Sequence, residues 1–340
     1  MLTFLYKSSE LTTFDILHIK TNEMKINRIL LTGLMFALII NTPTIFAQLK
    51  YTVKQDSAIV EMPGVQKELR ILHITDSHIT YPGEKDKKFE SYSNRMAKAY
   101  INEVDYQTKR PITGTEAFSK LMSKAVEQKI DLIALTGDIL NYPSEHAVNF
   151  LLNELKKTGI PFVYVAGNHD WHFEGMKSSD LELRKTWREK ILKPLYEGND
   201  YDCSARVMNG VDIVAIDNSI YQITAKQLEF YRKEKAKGLP IVLLMHIPVY
   251  TDTNNECCMG WPQWGAATDD IYQIERREQW SKEGNSQETL DFCNEIRSTK
   301  NVVVLAGHVH YDTISAEKDM LQIISDISRR AYARIIELIP

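Results

Sequence analysis

Residues 70–78 read RILHITDSH, and residues 130–138 read IDLIALTGD. Each is an apolar run, rich in Ile and Leu, that stops at an aspartate. Short apolar runs bounded by turn-forming residues read as buried strands. Three more runs follow the same plan. Pro161–Ala166 leads into Gly167-Asn168-His169-Asp170, Ile241–Met245 into His246, and Val302–Ala306 into Gly307-His308-Val309-His310. In open α/β sheets, ligands bind beyond the carboxyl ends of the strands. Five tips meeting there would gather Asp, Asn and His side chains in one pocket. Carboxylate and amide oxygens mixed with imidazole nitrogens suit a pair of divalent or trivalent metals, and Mn, Fe and Zn all fit.

Helical patterns sit between these runs. Phe118, Leu121, Met122, Ala125 and Val126 fit one helix face. Leu151, Leu152 and Leu155 fit another, with Lys156 and Lys157 in its last turn and Gly159 just past it. Ala225–Lys237 and Gln287–Ser298 read as two more, and Lys88–Glu103 as a further helix carrying Tyr92, Arg95 and Tyr100. Strands alternating with helices predict an α/β architecture. Periodicity alone does not separate a single doubly wound sheet from two sheets packed face to face.

Spacing within the tips bears on the chemistry. On an extended segment, residues i and i+2 point the same way. Asp76 and His78 are therefore expected to reach one metal together. His308 and His310 share that spacing and are expected to serve two neighbouring ions. Asn168 and His169 are adjacent and should diverge, one toward metal and the other over the substrate.

The order D-x-H, G-D, G-N-H-D, H, G-H-x-H, running from Asp76 to His310, resembles the calcineurin-like metallophosphoesterase superfamily. It covers nearly all of the chain beyond its N-terminal leader. The resemblance implies a four-layer αββα sandwich with two mixed β-sheets. It implies a phosphoric ester hydrolase, acting on phosphate mono- or diesters through a hydroxide held by two metal ions. Asp76, His78 and His310 would hold the first ion, Asn168, His246 and His308 the second, and Asp138 would bridge them. His169, with no metal role in this scheme, would be the general acid, and Asp170 would orient it. Two divalent ions and a hydroxide set against two aspartates leave the site at about +1, which suits an anionic phosphate. Two ions about 3.5–4 Å apart can clamp the attacking and leaving oxygens of an in-line displacement. One branch of the superfamily carries G-D-x-x-Y, whose tyrosine ligates ferric iron. Here Asn141 holds that place and Tyr142 comes one residue late, so no tyrosinate ligand is expected. The pattern is closer to the branch containing bacterial cyclic-nucleotide phosphodiesterases.

Composition narrows the partners. A net charge of −4 argues against a nucleic-acid surface, which would carry a basic patch. There is no Gly-rich phosphate loop, so the ions must do most of the phosphate binding. The expected partner is a small phosphate ester. Two alternatives are a nuclease of the same superfamily, which would need a cationic groove, and a non-catalytic metal-binding scaffold. Retention of every ligand position and of His169 disfavours the scaffold.

Met24–Ala47 reads as a secretory signal. Lys25 and Arg28 precede the apolar stretch Ile29–Ile40, Asn41-Thr42-Pro43 break it, and Ala47 offers a small residue for cleavage. The apolar stretch is shorter than the roughly 20 residues of a comfortable span, so no stable membrane anchor is expected. The expected division is residues 1–47 as extension and signal, and 48–340 as one metallophosphoesterase domain, exported to the periplasm or secreted. Oxidising conditions would then apply to the four cysteines, 203, 257, 258 and 293. Three pairings are open, and Cys293, at helical spacing with Leu290 and Ile296, reads as a buried thiol.

Among the other histidines, His73 reads as a satisfied core residue and His172 as a surface one. Two long connections, Tyr81–Gly114 and Thr251–Gly284, are candidate specificity loops or lids. The second holds Trp261, Trp264, Tyr272 and Trp280, which could stack on a base or sugar or form a satellite core. Arg95 on the first is read as solvated or salt-bridged.

Overall fold

Alternation along the central strands sorts the apolar side chains of the described residues into three separate cores in a computed structural model of the chain. The described residues are 49–100, 103–254, 258–261 and 284–340, with the side chains of Arg95 and Asp180 excepted. The leader at Met24–Ala47, His18, Cys257, Trp264, Tyr272, Trp280 and the Arg95 side chain lie outside them.

The first sheet has the order β1-β2-β14-β3-β6-β7. Its strands are β1 (Lys50–Lys54), β2 (Ser57–Glu61), β3 (Leu69–Ile74), β6 (Leu132–Thr136), β7 (Phe162–Val165) and β14 (Arg334–Ile339). The second has the order β12-β13-β11-β10-β9-β8. It is built from β8 (Cys203–Met208), β9 (Val211–Ile216), β10 (Ile241–Leu244), β11 (Val302–Ala306), β12 (Thr313–Glu317) and β13 (Met320–Ile324). Both sheets are mixed. β3, β6 and β7 run parallel beside an antiparallel β14, and β9, β10, β11 and β13 run parallel between antiparallel β8 and β12. A short hairpin, β4 (Glu103–Val104) with β5 (Pro111–Ile112), stands apart.

Leu69 and Ile71 of β3 and Leu132 and Ala134 of β6 pack between the sheets, against Ile213, Val242, Leu244, Val303 and Leu305. Their alternate neighbours face outward. Leu72, Ile74, Ile133 and Leu135 meet α2 (Gly114–Glu127) and α3 (Glu145–Thr158) through Phe118, Leu121, Leu151 and Leu155. On the far side, Val214, Leu243, Val302 and Val304 meet α5 (Ala225–Lys235) and α6 (Gln287–Arg297) through Leu228, Tyr231, Phe292 and Ile296. The result is the four-layer αββα sandwich. Each Leu or Ile so buried is worth about 1.5–3 kcal/mol.

The helices start where their sequences direct. Thr113 and Glu116 form a capping box on α2, Thr224 and Gln227 do so on α5, and Ser144 and Ser286 cap α3 and α6. Gly159 closes α3 in the left-handed conformation at φ 66°.

Some sequence expectations need correction. Val126 is 54% exposed and does not belong to the buried face of α2. The helix expected over Lys88–Glu103 is a 3₁₀ turn followed by α1 (Glu90–Ala99), and Glu103 lies in β4. α4 (Asp180–Trp187) was not anticipated. His172 is buried beside Trp171 rather than at the surface, and burial lowers its pKa to about 4, with His169 adding to the effect. His73 is a core residue, with Thr136 Oγ1 at 2.7 Å and Ser325 Oγ at 2.8 Å on its two ring nitrogens. Cys203 and Cys293 are buried free thiols. The Asn254 amide lies 3.0 Å from the Cys258 sulfur. No helix among the described residues is long and apolar enough to cross a membrane.

Candidate metal centre

The candidate ligands sit just beyond the strands, and the backbone turns to aim them. Asp76, His78, Asp138, His308 and His310 all have positive φ, between 41° and 71°. Each such residue costs roughly 1–2 kcal/mol of backbone strain, and such strain gathers at functional sites. The pairs Asp76/His78 and His308/His310 were expected to share a side because they lie on an extended segment. In fact β3 ends at Ile74 and β11 at Ala306, so left-handed turns bring these side chains together. The loops after β3 and β6 are zipped by backbone bonds, Asp76 N to Gly137 O at 3.0 Å and His78 N to Asp138 O at 2.9 Å.

Among the described residues, three groups of side chains have ligand atoms close enough to hold a metal ion. They are Asp76 with His78 and His310, His78 with Asp138 and His169, and Asp138 with His246 and His308. Asp76 Oδ1 lies 3.2 Å from His310 Nε2 and 3.8 Å from His78 Nε2, and the two imidazole nitrogens are 3.1 Å apart. Asp138 Oδ2 lies 3.3 Å from His246 Nε2 and 3.9 Å from His78 Nε2. Asn168 is buried in the turn just before His169.

The donor set fits metal ions. Asp76 Oδ1, Asn168 Oδ1 and His246 Nε2 are buried without hydrogen-bond partners. A buried polar atom left unpaired costs about 1–3 kcal/mol, and a cation relieves it. His246 Nδ1 lies 2.9 Å from the Thr136 carbonyl oxygen, which only accepts. Nδ1 therefore carries a hydrogen, which leaves Nε2 as the ligand atom. Burial would lower the ring's pKa, but the charge of Asp138 outweighs it and raises it to about 10, so an ion bound there takes the place of the Nε2 proton. Burial alone would raise the pKa of both aspartates. The imidazoles outweigh it, His310 holding Asp76 and His246 holding Asp138 below the ordinary carboxylate range. Burial, reinforced by His169 in one case and His246 in the other, keeps His78 and His308 neutral, the latter at about 3. Charged carboxylates and neutral imidazoles are the forms that bind metal.

A second layer holds these groups in place. Thr75 Oγ1 and the His308 backbone N–H both donate to Asp76 Oδ2, at 2.7 and 2.9 Å. His169 N donates to Asp138 Oδ1 at 2.8 Å. Tyr221 Oη lies 2.7 Å from His308 Nε2. Asn218 Oδ1 accepts from His246 N and Ile247 N at 3.1 and 3.0 Å. Gly167 and Gly307 permit the close approach. A Cβ on Gly167 would fall 2.1 Å from Asp138 Oδ1, and one on Gly307 would fall 2.3 Å from Asp76 Oδ2.

Asp170 does not take the place expected of it. Its carboxylate accepts from Leu140 N and Gly167 N, both at 2.7 Å, and so ties two site loops together. Burial and the charge of Asp138 raise its pKa to about 7. The His169 ring instead rests its Nδ1 3.2 Å from the Asn141 carbonyl. Tyr142 is buried, with its ring stacked on Phe173. Asn218 and Tyr221 are not singled out by the sequence motifs, and Tyr100 is expected there only on a helix, without a link to the site. Asn218 had a signal, since VDIVAIDNS at 211–219 is a sixth apolar run ending in polar residues.

The calcineurin-like phosphoesterase family model matches residues 69–312, well over half of the chain. A probable cyclic nucleotide phosphodiesterase of Psychrobacter arcticus is 26% identical over 106 residues, covering 30% of this chain and 32% of that protein. One of Fibrobacter succinogenes is 23% identical over 186 residues, covering 54% and 59%. The chain thus spans less than two thirds of these relatives. The solved structure of a dimetal phosphatase from Danio rerio aligns with TM-score 0.48 and 13% identity, covering 77% of this chain and 88% of that one. With its five motif blocks and both sheets in place, the chain belongs to the calcineurin-like phosphoesterase family.

Proposed function

We propose that the chain is a metal-dependent phosphoric ester hydrolase acting on phosphate mono- or diesters, with two ions side by side. Asp76, His78 and His310 hold one ion, Asn168, His246 and His308 the other, and Asp138 bridges them. The observation that carries this reading is the sharing of Asp138, which is within ligand reach of His246 and His308 on one side and of His78 on the other. When bound, such a pair supplies positive charge for the phosphate and brings the pKa of water toward about 7.

The rest falls to side chains. His169 flanks the shared carboxylate with its Nδ1 on the Asn141 carbonyl. That carbonyl fixes a hydrogen on Nδ1, so Nε2 is the atom that delivers a proton to the leaving-group oxygen. Asp170 acts at one remove, by bracing the loops that carry Asn168 and Leu140. The names of the relatives make diesters the first class to test. The net charge of −4 favours small esters over nucleic acid.

The test is metal content together with turnover of nitrophenyl phosphate mono- and diesters, in the presence of Mn, Fe or Zn. Wild type should take up two ions and turn over in proportion to them. Asp138→Asn should lose ions and nearly all turnover. Turnover by the metal-free chain would overturn the proposal, and an Asp138→Asn variant with two ions and a near-normal rate would overturn the bridging role.

The same proposal places the mature protein outside the cytoplasm, supported by the charged, apolar and small-residue order of Met24–Ala47. N-terminal sequencing of protein from a native-like host should find a start near Gln48. An intact leader in the cytosolic fraction would refute it.

A further inference from the structure

His246 and His169 each rest a ring nitrogen on a backbone carbonyl, and His308 meets a tyrosine hydroxyl. His78 has no such anchor: its Nδ1 is buried without a hydrogen-bond partner. Metal-binding histidines almost always donate their second ring N–H to an acceptor, which fixes the plane of the ring. For His78 an aromatic face takes that place. The Tyr100 ring lies nearly parallel to the imidazole, with centroids 4.3 Å apart and planes at 25°. The Arg329 guanidinium carbon lies 4.2 Å from the Tyr100 centroid. His78 fills one face of the tyrosine, so the cation sits on the other, and the three side chains form one stack.

The stack is tied at its arginine end. Arg329 Nε donates to Glu103 Oε1 at 2.6 Å, and Arg330 Nε to the other oxygen at 2.8 Å. Both arginines belong to the turn Ser328–Arg330. That turn also grips the chain before Asp76: Ser328 N donates to Thr75 O at 2.9 Å, and Thr75 N donates to Ser328 Oγ at 3.1 Å. One C-terminal turn therefore fixes the approach to Asp76 and supports the ring behind His78. Tyr100 follows α1 directly and precedes the strand that carries Glu103. The long excursion after the first motif thus returns to brace the ion site that this motif begins.

We infer that Tyr100 is a positioning residue for one of the two ions. It sets the ring plane of His78, and Arg329 backs it; this rests on the reading of Asp76, His78 and His310 as ligands of one ion. The hydroxyl is not needed for this role, but the flat ring is. Loss of a group that orients a metal ligand typically costs about 10–100-fold in metal affinity.

The test is Mn²⁺ titration of the full chain, followed by electron paramagnetic resonance, in wild type, Tyr100→Leu, Tyr100→Phe and His78→Ala. Wild type should show two binding constants. Tyr100→Leu should weaken one of them by about tenfold or more and leave the other unchanged, which also reports an intact fold. The weakened constant should be the one that His78→Ala abolishes. Tyr100→Phe keeps the stack and should stay within about twofold of wild type. Unchanged constants in Tyr100→Leu, equal weakening of both, or a Tyr100→Phe variant as weak as the leucine one would each overturn the inference. A wild-type chain that takes up no Mn²⁺ would overturn the two-ion reading itself, before any variant is compared.

Discussion

The side chain of Asn218 holds the backbone of His246 from outside the motif blocks. Its Oδ1 accepts from both His246 N and Ile247 N, and its Nδ2 donates to Ile247 O at 2.6 Å. The carbonyl of Thr136, at the end of β6 in the other sheet, holds the ring Nδ1 of the same histidine at 2.9 Å. His246 is thus fixed at its backbone by one sheet and at its ring by the other.

Asn218→Leu keeps the volume but leaves two buried N–H groups without an acceptor. Each is worth about 1–3 kcal/mol, so stability should fall by about 2–6 kcal/mol in urea unfolding. The ion that His246 helps to hold should weaken, and the other should not. Asn218→Asp keeps Oδ1 and should lie between. A leucine variant as stable as wild type, with both ions bound normally, would remove this role from Asn218.

Gly307 gives a sharper contrast. A Cβ there would meet Thr75 Oγ1 at 1.8 Å and Asp76 Oδ2 at 2.3 Å. Both atoms belong to the strand exit that presents Asp76, so Gly307→Ala should displace that carboxylate and reduce metal uptake and turnover together. Gly159→Ala is the control. It places an alanine at φ 66° with nothing within 4 Å, and should cost only about 1–2 kcal/mol of stability with turnover per folded molecule unchanged. Turnover of Gly307→Ala close to wild type would show that the approach there can relax.

These residues also show how much could be read from the chain alone. Every strand that ends in a motif was legible, because buried parallel strands are continuous apolar runs and a polar motif residue, preceded by a glycine in three of the five, punctuates their ends. The second sheet was not legible from periodicity, since Leu132 and Ile133 are equally apolar but face different cores. The partners of the site were harder still. Tyr100 reaches His78 from the end of a short helix, and Arg329 lies 226 residues from the Glu103 that holds it. Contacts so distant in sequence leave no local spacing to read. Asp170 misled because adjacency in G-N-H-D suggested a partner for His169, while the turn at His169–Trp171 carries its carboxylate back to Leu140 and Gly167.

Acid stability should depend on a carboxylate outside the metal centre. Asp217 is buried, paired with Arg184 at 3.0 Å and with Arg188, and accepts from Ser219 N and Oγ. Burial would raise its pKa, but the two guanidinium groups outweigh it and hold Asp217 below its ordinary value of 3.8. A depressed carboxylate stabilises the fold above its unfolded pKa, and that stability is lost as pH falls toward the folded one. Melting temperature should therefore fall as pH drops from about 5 through 3.8 and below. Asp217→Asn should be less stable at pH 7, by about 3–5 kcal/mol, because two buried arginines lose their partner. Its melting temperature should also respond less to acid. The same slope in both proteins between pH 5 and 3 would assign the acid sensitivity elsewhere.

The last prediction separates chemistry from metal binding. His169 is reached through its backbone N–H by Asp138 and through Nδ1 by the Asn141 carbonyl. Neither contact requires His169 to hold an ion, since the adjacent Asn168 offers a buried, unpaired oxygen. His169→Ala should therefore keep both ions. Turnover should fall by about 10²–10⁴, the range for a positioned acid. The size of the fall should depend on the leaving group. An alkoxide needs its proton as the bond breaks, whereas nitrophenolate leaves almost as well without one. Alkyl phosphate esters should suffer much more than nitrophenyl esters. Equal losses on both, with metals intact, would make His169 a phosphate-binding group. Loss of an ion in the same variant would make His169 a ligand, in keeping with its reach to His78 and Asp138.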